Sequence, residues 1–324
     1  MAQRTWPLIG QKNAIDFFEQ TLDYEQQHPG TLGGSFILSG PTSVGKGVML
    51  ESFLNHLSRL AEGESAPADI VRLELLEDKR EIGIAQAREF SGRLALSTFG
   101  GHYRIGVVHN AELLSIEAAN ALLKTLEDAR DQVIIFLLAS SRDLLPATIR
   151  SRSQHIIFKT VSADEIYEWL IRTYNVTRPQ AKNISRLAGG RPGLALKLAT
   201  DKKFLEQRLV PVQLFCAAFK TPLYERWQAI VKFIGNATGA EAVAKAAEAL
   251  ESWRLTIRDL LLMRLNQPEL VIHAFAEEEL RAALRTTDIQ DLRRYDGIIQ
   301  QAIRYLKANV NPKLVLEQVL MNIH

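Results

Sequence analysis

The first half of the chain predicts an α/β fold on a parallel sheet, and the second half predicts helices alone. Three observations carry this. Short β-rich runs alternate with helical patterns as far as Phe158 and then stop. Two of those runs, residues 103–108 and 133–138, are almost continuously apolar, as strands covered on both faces are. A glycine-punctuated loop, Gly40-Pro41-Thr42-Ser43-Val44-Gly45-Lys46-Gly47, joins the first strand to the next helical pattern.

In chain order, strands are expected at residues 35–38, 70–73, 103–108, 133–138 and 155–158. Helices are expected over 48–60, over 82–96, and from Ser115 through Ala118, Ala119, Leu122, Leu123 and Leu126. The polar stretch 61–67 reads as a flexible loop. Beyond Phe158, Ser162 followed three residues later by Glu165 is a capping box before Ile166, Tyr167, Trp169 and Leu170. A second helix is expected to end at Gly189-Gly190, and Pro192 suits the first turn of a third. The longest periodic stretch covers about 240–265. The last helix opens at Asn311-Pro312, Asn as cap and Pro at the first helical position. Three domains follow: 1–160, 161–205 and 206–324. Trp169, Trp227 and Trp253 sit in helical patterns with aliphatic neighbours and are expected in the core.

A chain of 324 residues exceeds one ordinary core. Its formal net charge of +2 excludes a generally basic nucleic-acid binder, so any DNA contact needs a local patch. Arg80, Arg88 and Arg93 are the candidates, but Glu81 and Glu89 interleave and favour a solvated face. The one cysteine, Cys216, lies in an apolar run and reads as a buried thiol, compatible with a reducing compartment. No signal core or membrane-length apolar run is seen, so a soluble, cytoplasmic protein is expected.

The loop at 40–47 stands where a phosphate-binding loop requires it, after a strand and before a helix. Gly40 and Gly45 would let backbone N–H groups turn toward phosphate oxygens, and Lys46 would neutralise charge. The next position should be Ser or Thr to hold Mg²⁺; here it is Gly47. The strand ending at Val108 should supply Asp-Glu for metal and water but ends in His109-Asn110. Glu112 is expected to point elsewhere. The nucleotide site is thus read as degenerate, with no metal site. Residual ATP or ADP binding without turnover stays open.

The stretch from Glu117 to Glu127, Glu-Ala-Ala-Asn-Ala-Leu-Leu-Lys-Thr-Leu-Glu, resembles the signature helix of bacterial clamp-loader subunits. Residues 135–141, ending in Ser141, resemble the family's sensor-1 strand. Residues 144–153 resemble its Leu-Leu-Pro…Ser-Arg-Cys segment, with Ser153 for Cys. Ile9-Gly10-Gln11 resembles the opening motif. Gly189-Gly190-Arg191-Pro192-Gly193 is similar to the sensor-2 helix, with Gly193 where active members carry arginine. The family's cysteine module after the loop helix is absent. Its Glu-Glu-Pro-Pro turn is replaced by Glu127-Asp128-Ala129-Arg130.

This resemblance implies a RecA-like AAA+ P-loop domain with a helical lid and an all-helical C-terminal collar. With three features of the ATP site lost, it implies the non-hydrolysing, delta-prime branch of the DNA polymerase III clamp-loader family. Its partners would be gamma/tau motor subunits, the delta subunit, the sliding clamp and primer-template DNA. Arg152 matches the arginine that acts in trans on a neighbour's ATP. Two alternatives stand beside this: a divergent but active AAA+ ATPase, and an AAA+ adaptor outside replication.

Overall fold

The computed structural model describes residues 4–60, 69–76, 79–96, 103–129 and 132–323. The expected loop at 61–67 and Arg130 fall outside these. The chain divides into two compact units, residues 1–169 with 190–194, and residues 170–189 with 195–324. The segment 161–205 is therefore shared between them.

In the first unit, α1 (Lys12–Gln27) precedes β1 (Gly34–Ser39), α2 (Lys46–Leu60) and β2 (Asp69–Leu73). Then come α3 (Ile84–Ala95), β3 (Arg104–Val108), α4 (Ile116–Glu127) and β4 (Val133–Ala139). A short α5 (Ala147–Arg150) leads into β5 (Gln154–Ile157), followed by α6 (Ala163–Tyr174). The strands form one sheet in the order β2-β3-β4-β1-β5, with every pairing parallel. Side chains alternate across it as the pleat requires. Phe36, Leu38, Ile105, Val107, Ile134 and Phe136 pack with Phe18 of α1 and Phe53 of α2. Ile37, Val108, Ile135 and Leu137 pack on the other face with Phe90 of α3 and Leu122 of α4. Coverage on both faces explains why β3 and β4 are so apolar. At Gly106 a Cβ would come within 2.7 Å of the Phe90 ring, so its absence lets α3 lie close on the sheet.

The capping box that opens α6 is formed, with Glu165 N–H donating to Ser162 Oγ at 3.2 Å. Beyond it lie α7 (Arg178–Leu187), α8 (Pro192–Thr200), α9 (Lys202–Ala218), α10 (Leu223–Ile234) and α11 (Gly239–Arg264). Gly189 has φ 56°, the left-handed geometry that ends a helix such as α7. The chain closes with α12 (Glu277–Leu284), α13 (Ile289–Lys307) and α14 (Pro312–Met321). Asn311 caps α14 by accepting from Lys313 N–H.

The second unit's core gathers around Trp253, which is fully buried. Its indole N–H donates to the Pro211 carbonyl at 2.8 Å, and its ring stacks on Phe215 at 5.7 Å. Cys216 is buried there, and burial pushes its thiol up to about 12. Trp227 corrects the expectation that all three tryptophans are core. It is 39% exposed, stacked with Tyr224 and capped by the Lys313 ammonium. Periodicity marks a face of α10, but part of that face meets solvent.

Among the described residues no helix is long and apolar enough to cross a membrane, and no group of metal-binding side chains is present.

Candidate functional site

The sheet order places a crevice where ligands of such folds bind. The chain leaves β1 for the far edge at β2, returns through β3 and β4, then crosses to β5 on the other side of β1. The switch point is therefore between β1 and β4, outside their carboxyl ends. Gly40–Gly45 occupies that position and runs into α2. The loop carries the backbone its motif demands: φ is 150° at Gly40, 63° at Ser43 and 111° at Gly45. A Cβ at Gly40 would lie 2.2 Å from the Phe158 carbonyl oxygen, and one at Gly45 would lie 2.3 Å from Leu8. Gly40 requires glycine on two counts, conformation and backbone space, and Gly45 on conformation, since the Leu8 side-chain tip can move.

A cleft of about 360 Å³ opens over this loop. Its walls include Ser43, Gly45, Lys46, Gly47, His109, Asn110, Glu112, Ser140 and Gly193. The structure thus brings together the loop residues, the end of β3 and the start of α8. Lys46 folds back onto its own loop, donating to the carbonyls of Gly40 and Pro41. Burial holds its pKa below the ordinary lysine value, opposed by the nearby charge of Glu112. His109 turns to Glu74, with Nε2 3.4 Å from the carboxylate. Asn110 has φ 49° and starts a single 3₁₀ turn. Gly193 donates its N–H to the Ser43 carbonyl at 2.9 Å. Ser141 caps the turn 142–144, accepting from Asp143 N–H at 3.3 Å, while the adjacent Ser140 lines the cleft.

Glu112 overturns its expectation. Rather than pointing elsewhere it lines the cleft. One oxygen accepts from Ser140 N–H at 3.0 Å; the other is buried with no hydrogen-bond partner. Asn110 is the sequence signal for this. Asn tolerates left-handed backbone, and Asn110 adopts it between β3 and the turn that carries Glu112.

The residues present do not fit magnesium–nucleotide. Gly47 has open space around its Cα but no hydroxyl. No carboxylate follows β3 directly, and no arginine stands at 193.

Arg152 lies at the other end of the same sheet. Ser35, near the amino end of β1, donates its hydroxyl to the Arg152 carbonyl at 2.6 Å, and Ser153 donates to Ser35 at 3.1 Å. Ser35 and Gly40 are separated by about 16 Å of strand at roughly 3.3 Å per residue. The Arg152 guanidinium pairs with Glu127 at the end of α4 and donates to the Thr148 carbonyl at 3.0 Å. Arg80, Arg88 and Arg93 are all exposed.

A five-stranded parallel sheet with a glycine loop at its switch point and a cleft of about 360 Å³ over that loop define a P-loop α/β domain. Residues 10–162 match the family model described as "DNA polymerase III, delta subunit". The chain is 33% identical over 153 residues to the DNA polymerase III subunit delta' of Haemophilus influenzae, covering 47% of this chain and 46% of that one. It is 26% identical over 217 residues to the subunit delta' of Pseudomonas aeruginosa, covering 60% and 66%. The Bacillus subtilis subunit tau matches at 25% over 180 residues, covering 51% of this chain and 30% of that one. Among solved structures, a gamma subunit-related protein of Thermotoga maritima superposes with a TM-score of 0.56 at 19% identity. That superposition covers 94% of this chain and 97% of that one. The chain spans about half the length of the curated relatives it matches. Over residues 10–162 the chain is thus similar to the delta' subunits of DNA polymerase III.

Proposed function

We propose that the chain is a non-hydrolysing subunit of a bacterial sliding-clamp loader, acting in the cytoplasm in DNA replication. It completes the ATP site of an adjacent gamma/tau motor subunit by presenting Arg152, and it needs no cofactor of its own. The delta subunit, the clamp and primer-template DNA are its further partners within the complex. Residues 161–205 serve as lid and residues 206–324 as collar.

One observation supports this above the others. Arg152 stands at the amino end of the sheet and the chain's own loop at the carboxyl end. A side chain so placed cannot serve its own cleft, so a catalytic role for it must be in trans. A guanidinium delivered by a neighbour stabilises charge developing on the transferred phosphoryl group. The degenerate cleft agrees, because a subunit that donates without hydrolysing needs no metal ligands.

The test is the DNA- and clamp-stimulated ATPase of motor subunits reconstituted with this chain, wild type and Arg152→Ala. Turnover at the shared site is expected to fall by about 10³-fold or more, as for arginine fingers generally. Size-exclusion chromatography should show the complex intact. Unchanged turnover in an intact complex would remove the finger role. Magnesium-dependent multiple turnover by the isolated chain would instead favour an active ATPase.

A further inference from the structure

We propose that Glu127 is a positioning residue for Arg152, setting the guanidinium in the orientation a neighbour's phosphoryl group needs before that neighbour arrives. The inference deepens the in-trans reading above and rests on it. The main chain of Arg152 is already fixed. Its N–H donates to the Ile149 carbonyl at 3.1 Å, and its carbonyl accepts from the Ser35 hydroxyl at 2.6 Å. Ile149 is fully buried, so this stretch of backbone is tied to the core beside α5. The side chain has several rotatable bonds left to freeze. Their entropy would be lost at the moment of docking unless the protein had restricted them beforehand.

Contacts at the far end of the side chain restrict them. Nε and Nη2 both meet one carboxylate oxygen of Glu127, and Nη1 donates to the Thr148 carbonyl at 3.0 Å. Nη1 also lies 3.4 Å from Ser151 Oγ. Partners on two sides fix the plane of the guanidinium as well as its position. Glu127 fills the edge formed by Nε and Nη2. The second Nη2 proton has no acceptor among the described residues, and it belongs to the terminal edge, which can address a phosphate oxygen. Glu127 therefore takes the edge that the proposed role does not use. The pair is also a weak one, since Arg152 is 34% and Glu127 49% exposed, so it orients Arg152 without locking it. Local helix energetics give no reason for an acid at 127. As the last residue of α4 it meets the negative end of the helix dipole, where a cation is preferred. Its contact with Arg152 does give a reason.

The experiment is the DNA- and clamp-stimulated ATPase of motor subunits reconstituted with this chain. Wild type, Glu127→Ala, Glu127→Gln, Arg152→Ala and the double variant Glu127→Ala/Arg152→Ala are compared, with size-exclusion chromatography to confirm assembly. Glu127→Ala is expected to lower kcat at the shared site about three- to tenfold, as loss of a weak orienting contact should, with the KM for ATP little changed. Glu127→Gln keeps an oxygen for the Nε and Nη2 protons and should recover most of that loss. In the Arg152→Ala background Glu127→Ala should have no further effect, because Glu127 acts only through the guanidinium. Wild-type turnover in Glu127→Ala would overturn the inference and leave the finger standing. So would higher turnover, which would make the contact a restraint, or an equal loss with and without Arg152, which would make it structural. Unchanged turnover in Arg152→Ala would instead remove the finger reading, and the positioning role with it.

Discussion

Gly40 and Gly47 sit at the two ends of one loop, and their substitution should have opposite consequences. Gly40 combines a φ of 150° with a Cβ position 2.2 Å from the Phe158 carbonyl. Gly40→Ala must break that approach between β1 and the end of β5, and is expected to cost more than about 2 kcal/mol. Gly47 lies in the first turn of α2 with open space around it. Gly47→Ala should be neutral or stabilising by up to about 1 kcal/mol, the ordinary helix gain of Ala over Gly. Urea unfolding of the two variants checks both, and equal effects would contradict the geometry. The loop could be read from the sequence because its chemistry is local: glycine spacing, a strand before and a helix after. Glu112 could not, because its direction depends on the left-handed turn at Asn110 and on Ser140 arriving from another strand.

At the scale of elements, β3 and β4 were legible because both their faces are buried, which forces an apolar run. The helix α1 escapes the same reading. Its buried residues Ala14, Phe18 and Leu22 do fall at helical i, i+4, i+8 spacing, but nothing marks its start, since its cap Gln11 makes no side-chain capping bond and no acidic residue stands in its first turn. Trp227 shows the limit from the other side, since helical spacing cannot say whether a face has a neighbour. Trp253 is the contrasting case, and α11 depends on it. Trp253→Phe keeps most of the ring area but leaves the Pro211 carbonyl without the indole donor. A loss of about 1–3 kcal/mol is expected. Trp253→Ala also opens a cavity in the core and should cost about 3–5 kcal/mol. Thermal or denaturant melts that ranked the two variants in the reverse order would contradict the packing described.

At the scale of the molecule, the two units carry separate cores. The apolar cluster of the second unit draws only on residues from Val212 to Ile323. Asp201 caps α9 by accepting from Phe204 N–H at 2.9 Å, so that helix has its own start. A fragment of residues 201–324 is therefore expected to fold alone, with a helical circular dichroism spectrum and a single cooperative melt. A fragment without a cooperative transition would mean that this core needs the remainder of the chain.

A parallel sheet has a direction, and this one keeps Arg152, paired with Glu127, at its tail and the phosphate loop at its head. On the reading proposed above, a copy can act on the domain beyond its tail but offers nothing for another domain to act on at its head. On that same reading the chain would be a full stop in a row of such domains, closing a series of working junctions rather than standing inside one. Two copies placed in succession would create a silent junction, so the chemistry has use for a single copy per row.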